Sequence, residues 1–105
     1  MIQILRKNEG KIVFKQDGAL GVEKNPALVV LTLQPKCRIE AHTLPVPATF
    51  FVVKGSGVLT LSDENITLFE GDLIAADPGC ERAWHNVGDQ PLQVLVIKSA
   101  AVKSV

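Results

Sequence analysis

The sequence has 105 residues, 47% of them hydrophobic, and its 11 basic and 11 acidic side chains leave a formal net charge of zero. That length suits one domain with one hydrophobic core, and the apolar content argues against an intrinsically disordered chain. The lack of a basic block argues against nucleic acid as a partner, and the neutral charge gives no attraction to anionic membranes.

The N-terminal segment, residues 1–7, reads MIQILRK. It lacks the longer apolar stretch and the small-residue cleavage site of a secretory signal peptide. No stretch of the sequence reaches the roughly 18 apolar residues of a membrane span. We therefore expect a cytoplasmic protein, in which Cys37 and Cys80 remain free thiols.

Taken in chain order, short runs rich in Val, Ile, Leu, Thr and Phe are each interrupted by Gly, Pro, Asn or Asp. This rhythm predicts short strands joined by turns, and no segment has the 3.6-residue apolar period of a helix over three turns. The sequence therefore favours an all-β sandwich or barrel. The predicted strands are residues 2–5, 11–14, 27–33, 38–42, 49–53, 58–61, 66–69, 73–76, 82–86 and 92–98.

Two segments of this pattern carry recognisable spacings. In residues 36–55, His42 is followed by Gly55, and residues 71–86 contain Gly71, Gly79 and Asn86. These residues resemble the two motifs of the cupin superfamily. The first motif is Gly, five residues, His-x-His, three or four residues, Glu, six residues and Gly. The second is Gly, five residues, Pro-x-Gly, two residues, His, three residues and Asn.

The resemblance implies an all-β fold, a double-stranded β-helix or jelly-roll barrel, with residues 1–105 as a single cupin domain. The turn positions of the motifs are kept, but the ligand positions are changed. Lys36 stands at the first Gly and Asp77 at the Pro, whereas the positions of the second His, the Glu and the third His hold Leu44, Ala48 and Arg82.

Metal-binding members of the family use three His and one Glu, a set that suits a divalent ion with open positions. Of those four positions only His42 keeps its ligand, and Arg82 adds a permanent positive charge that repels a divalent cation. We therefore predict no metal and no other cofactor. A substitute ligand set of Glu40, His42 and Cys80 is the alternative.

Alternation along strands predicts which side chains point into the barrel. The predicted interior combines apolar walls with a few polar groups, as in small-molecule sites. It consists of Glu40, His42, Leu44, Ala48, Phe50, Val52, Cys80, Arg82 and Trp84, and the candidate ligand-binding residues among these are Arg82, His42, Glu40, Phe50, Trp84 and Cys80. No residue is assigned a catalytic role.

The main candidates each allow two interpretations. Arg82 either pairs with Glu40 or receives a ligand carboxylate or phosphate. His42 is either a hydrogen-bonded core histidine or a general base or ligand donor. Phe50 and Trp84 either fill the barrel or stack on a ligand.

Three functions remain open. The first is a metal-free barrel that binds a small organic ligand, anionic if Arg82 is its partner. The second is a metal-dependent dioxygenase or isomerase with substitute ligands. The third is a barrel kept for its dimer surface, its interior filled by Phe50, Trp84 and a Glu40–Arg82 pair. We expect a homodimer formed through edge strands at residues 2–5 and 11–14.

Overall fold

The computed structural model describes residue 2 and residues 4–98, where every regular element is a β-strand. Within this part of the chain there is no helix that could span a membrane. The strands are β1 (Lys11–Gln16), β2 (Ala19–Asn25), β3 (Leu28–Leu33), β4 (Arg38–His42), β5 (Ala48–Lys54), β6 (Gly57–Leu61), β7 (Glu64–Leu68), β8 (Leu73–Ala76), β9 (Arg82–His85) and β10 (Leu92–Lys98).

The strands form two antiparallel sheets, with the orders β1-β2-β3-β10-β5-β8 and β4-β9-β6-β7. The last strand, β10, lies between β3 and β5 and joins distant parts of the sequence. The apolar residues of the two inner faces pack into one core, which confirms the predicted jelly-roll barrel.

Nine of the predicted strands correspond to observed ones. Residues 38–42, 73–76 and 92–98 match β4, β8 and β10 at both ends, and six others differ by one or two residues at an end. The strand predicted at residues 2–5 is wrong, because the described residues of that segment are irregular. The chain just beyond it is held by Lys24, whose Nζ donates to the carbonyl oxygens of Arg6 (2.9 Å) and Lys7 (3.1 Å).

β2 was not predicted from the sequence, and it pairs with β1 on one side and with β3 on the other. This strand contains Gly21 and the charged Glu23 and Lys24, residue types that are uncommon in strands. Packing favours glycine at position 21, since a Cβ there would lie 3.0 Å from the Cβ of Phe14, a tight contact. Pairing on both sides therefore overrides a weak local preference. β1 is an edge strand, as predicted.

Residues at the turn positions of the two motifs have structural roles. Gly55 has a φ of +80°, and a Cβ there would lie 2.5 Å from the carbonyl oxygen of Pro91. Only glycine satisfies both the left-handed backbone and this close approach. The turn between β5 and β6 therefore depends on Gly55 whatever the barrel binds.

Asn86 links three segments at the end of β9 and is only 1% exposed. Its Nδ2 donates to the carbonyl oxygens of Leu33 (3.1 Å) and Gln90 (2.8 Å), and its Oδ1 accepts from the amide of Gly88 (3.0 Å). Its backbone amide donates to the carbonyl oxygen of Cys37 at 2.9 Å. Asn86 thus serves the scaffold.

Candidate functional site

A cavity of about 250 Å³ lies between the two sheets. Side chains from β1, β3, β4, β5, β9 and β10 line it, so both sheets contribute to its walls. Most of the wall is apolar and includes Val29, Leu31, Phe50 and Val96. The polar groups in the lining belong to His42, Arg82, Trp84 and Lys98. A largely apolar pocket with a few polar groups is the usual form of a small-molecule site.

Arg82 is the first residue of β9 and is only 2% exposed. Its guanidinium carbon lies 5.3 Å from the centre of the Phe50 ring, in a cation–π arrangement. Its Nη1 is buried and has no hydrogen-bond partner in the part of the chain that the structure describes. Burial lowers the pKa of Arg82 from its usual value, while the electrostatic effect of Cys80 raises it. The side chain nevertheless keeps its charge, because arginine does not lose its proton in proteins.

Trp84 lies two residues further along the same strand and is also 2% exposed. Its ring meets that of Phe50 edge to face, with centres 5.8 Å apart and an angle of 74°. Like the Nη1 of Arg82, its Nε1 is buried without a partner among the described residues. A buried donor without a hydrogen-bond partner lowers the stability of the folded state by about 1–3 kcal/mol, and by more when the donor is charged. Two residues that line this cavity therefore each have a buried donor without a partner in the described chain, and one of them carries a positive charge.

His42 reaches the cavity through a β-bulge. In the pairing of β4 with β9, Ile39 lies opposite Trp84, but His42 lies opposite Arg82, so β4 contains one extra residue between these pairs. Both Ile39 and His42 therefore line the cavity. The His42 ring remains exposed at the rim, with its Nδ1 3.2 Å from the carbonyl oxygen of Glu40.

The same bulge makes the prediction for Glu40 wrong. Uniform alternation placed Glu40 inside with His42, but Glu40 is exposed and lines a separate groove with Arg38 and His85. No ion pair joins it to Arg82 among the salt bridges of the described chain. The internal Glu40–Arg82 pair is therefore excluded as the explanation for the buried arginine.

Cys80 also differs from its predicted position. It is half-buried at the margin of the core, with its Sγ 3.2 Å from the Oγ of Ser62, and it does not line the cavity. Cys80 and Cys37 are both free thiols, as predicted.

The residues at the family's metal positions do not fit a divalent ion. Leu44 is half-buried against the cavity, Ala48 is buried in the core, and Arg82 adds a positive charge. The substitute set of Glu40, His42 and Cys80 does not come together, since residues 4–98 contain no cluster of three potential metal ligands. The site therefore offers an apolar and cationic surface.

The inward positions of Leu44, Ala48, Phe50, Val52, Arg82 and Trp84 agree with the prediction. Other cavity residues were missed, among them Val13 and Phe14 from β1 and Lys98 from β10. A bulge in β1 shifts the register between Ile12 and Phe14. Bulges have weak sequence signals, whereas the alternation in β3 and β10 could have identified Leu31 and Val96.

A family model described as "Cupin domain" matches residues 29–98, well over half of the chain. A search of curated proteins found no match.

Solved structures with the same fold belong to proteins of different kinds. SPY1581, a conserved protein of unknown function from Streptococcus pyogenes, is 21% identical, with a TM-score of 0.72 and 98% of each chain covered. CENP-C of Drosophila melanogaster, solved bound to CAL1, is 18% identical, with a TM-score of 0.75 and coverage of 91% of this chain and 85% of that one. A sugar phosphate isomerase from Silicibacter pomeroyi is 18% identical, with a TM-score of 0.68 and coverages of 81% and 61%. At these identities the likeness shows the fold alone.

Proposed function

The chain belongs to the cupin family, and from this premise we propose that it binds a small organic anion inside the barrel without a metal. Arg82 binds the negative charge, Trp84 donates a hydrogen bond, and Phe50 forms part of the apolar wall. His42 lies at the rim, where it contacts the ligand from the solvent side.

The unpaired charge of Arg82 carries this proposal. Arg82 is only 2% exposed and needs a counter-ion for its charge, and residues 4–98 supply none within hydrogen-bonding distance of its Nη1. Glu40, the internal candidate, is on the outside of the barrel. An anion in the adjoining cavity would satisfy both the charge and the buried donor.

The single tryptophan of this sequence allows a site-specific binding test. We expect that at least one of two anions, phenylacetate or phenyl phosphate, shifts the indole N–H resonance of Trp84 in a two-dimensional NMR titration. The shift caused by the anion should be lost in Arg82→Met. It should be kept in Arg38→Met, which changes an exposed arginine on the outer surface. The proposal fails if neither anion shifts the resonance, or if Arg82→Met responds as the wild type does.

A second candidate function, association with a second copy of the chain, is favoured by the outer face of the larger sheet. Residues in register across five strands of that face are all apolar and none is fully buried. This apolar row consists of Val22, Val30, Leu95, Phe51 and Leu73. The outer groove of the smaller sheet, by contrast, contains Arg38, Glu40 and Asn65.

A second copy suits the apolar row because the chain has no net charge to oppose self-association. Two such faces can stack as sheets do in a sandwich, about 10 Å apart. The edge strand β1 lies beside the same face and provides the alternative contact.

We expect Leu95→Lys, in the middle of the apolar row, to shift the protein from dimer to monomer in light scattering coupled to size exclusion. The lysine would place two like charges in a stacked interface. Thr67→Lys, at an exposed position on the smaller sheet, is the matched control and should leave the mass unchanged. A wild-type protein that stays monomeric at high concentration would rule out this association. A Leu95→Lys protein that is still dimeric would show that the dimer does not form through the apolar row and would favour the β1 edge.

A further inference from the structure

We infer that the ligand is a singly charged carboxylate with a compact apolar body, close in size to a benzene ring carrying a short side chain. This inference rests on the proposed function and specifies its ligand class. It follows from three properties of the cavity: its charge, its number of unsatisfied donors, and its volume and lining.

The charge of the cavity matches one negative charge. Arg82 is buried without a carboxylate partner among residues 4–98. Lys98, the other cation in the lining, is already paired with Glu23, its Nζ 3.7 Å from the Oε1 of that residue. A single uncompensated cation favours a monoanion, because a second buried negative charge would have no partner.

The donors match a carboxylate better than a phosphate. Within the described chain, the buried side-chain donors without partners are Nη1 of Arg82 and Nε1 of Trp84. A carboxylate has two acceptor oxygens, whereas a phosphate ester has three terminal oxygens and carries up to two charges. The remaining wall contains side chains such as Val29, Leu31 and Val96, which cannot donate hydrogen bonds. A phosphate would therefore bring more acceptor oxygens than these two buried donor atoms have been shown to match, whereas a carboxylate brings two.

The volume and lining determine the body of the ligand. A cavity of about 150 Å³ lined by apolar side chains is enough to hold benzene, and pockets for drug-sized ligands start near 300 Å³. The cavity here, about 250 Å³, lies between these sizes. The body must be apolar since it would contact Val29, Leu31 and the Phe50 ring.

A model ligand and three compounds that each change one part of it can test this class, again with the Trp84 indole resonance as the readout. Phenylacetate is the model ligand. Phenylacetamide keeps the body without the charge, acetate keeps the charge without the body, and phenyl phosphate exchanges the anion. We expect phenylacetate to bind at least about 10-fold more tightly than each of the others, as a charge-assisted hydrogen bond and an apolar contact predict.

The outcomes separate the ligand class from the proposed function. If phenyl phosphate binds as tightly as phenylacetate and depends on Arg82, the carboxylate class is wrong and anion binding stands. If acetate binds as tightly as phenylacetate, the inference that the ligand has an apolar body is wrong. If phenylacetamide matches phenylacetate, or if no probe shifts the resonance, both the class and anion binding are wrong. The affinities of the four probes are compared within the wild type, and only the dependence on Arg82 requires the Arg82→Met variant.

Discussion

Arg82→Met is expected to raise the free energy of unfolding of the ligand-free protein by about 1–2 kcal/mol, although it changes one of the largest buried side chains. Methionine is unbranched and of comparable length, so it can fill the same space without a charge. The substitution removes a buried cation and an Nη1 that has no partner in the described part of the chain. Relief of that desolvation exceeds the loss of the cation–π contact with Phe50, about 0.5–2 kcal/mol.

The measurement is urea unfolding in a buffer free of organic anions, since an anion that binds the folded state would stabilise the wild type. For a domain of this length, each kcal/mol corresponds to roughly 4–8 °C in Tm. Phenylacetate should then raise the Tm of the wild type and leave that of Arg82→Met unchanged. A residue that weakens the folded state while serving a ligand is a common compromise between stability and function.

Arg38→Met provides the matched control, because Arg38 is an exposed arginine on β4, the strand paired with β9. Its effect should stay within about 0.5 kcal/mol, as for most surface substitutions. If Arg82→Met instead destabilises the protein as strongly as a core truncation, Arg82 has a structural partner and the anion site is wrong.

Asn86→Ala is expected to lower the free energy of unfolding by about 2–4 kcal/mol. The substitution removes three side-chain hydrogen bonds and leaves the carbonyl oxygens of Leu33 and Gln90 and the amide of Gly88 without these partners. Because Asn86 is almost fully buried, water cannot readily replace them. The check is the same urea titration, which reports the difference directly.

Two further variants separate the hydrogen bonds from the volume of the side chain. Asn86→Asp keeps the size but replaces the donating Nδ2 by an acceptor facing two carbonyl oxygens, so it should cost at least as much as alanine. Asn65→Ala removes one exposed contact with Thr60 and should change stability by about 0.5 kcal/mol or less. A stable Asn86→Asp would show that the hydrogen bonds are not the source of the effect.

Much of the fold could be predicted from the sequence because its strands are short and clearly bounded. The runs that become β4, β8 and β10 are apolar segments between turn residues, and their ends were predicted correctly. Gly55 and Asn86 keep their motif positions since each meets a local demand, a close approach in one case and buried backbone groups in the other. β2 was missed because its stability comes from pairing with two neighbours.

The candidate site was only partly predictable. Alternation from Arg82 correctly placed Trp84 inside, since β9 is regular over these residues. Alternation from His42 wrongly placed Glu40 inside, because the bulge in β4 adds one residue. A shift of one residue moves a side chain to the opposite face of a sheet. The sequence left open whether Arg82 has an internal partner, and the answer depends on this shift.

The sequence by itself determined the all-β class, the cupin resemblance and the loss of the usual metal ligands, since these follow from local turn chemistry and from residue identity. Only the tertiary structure decided that Arg82 lies without Glu40 in an apolar cavity, next to the unsatisfied Trp84. Burial and pairing depend on which segments meet across the two sheets. The pairing register sets those contacts, and a bulge can change it with little trace in the composition of a strand.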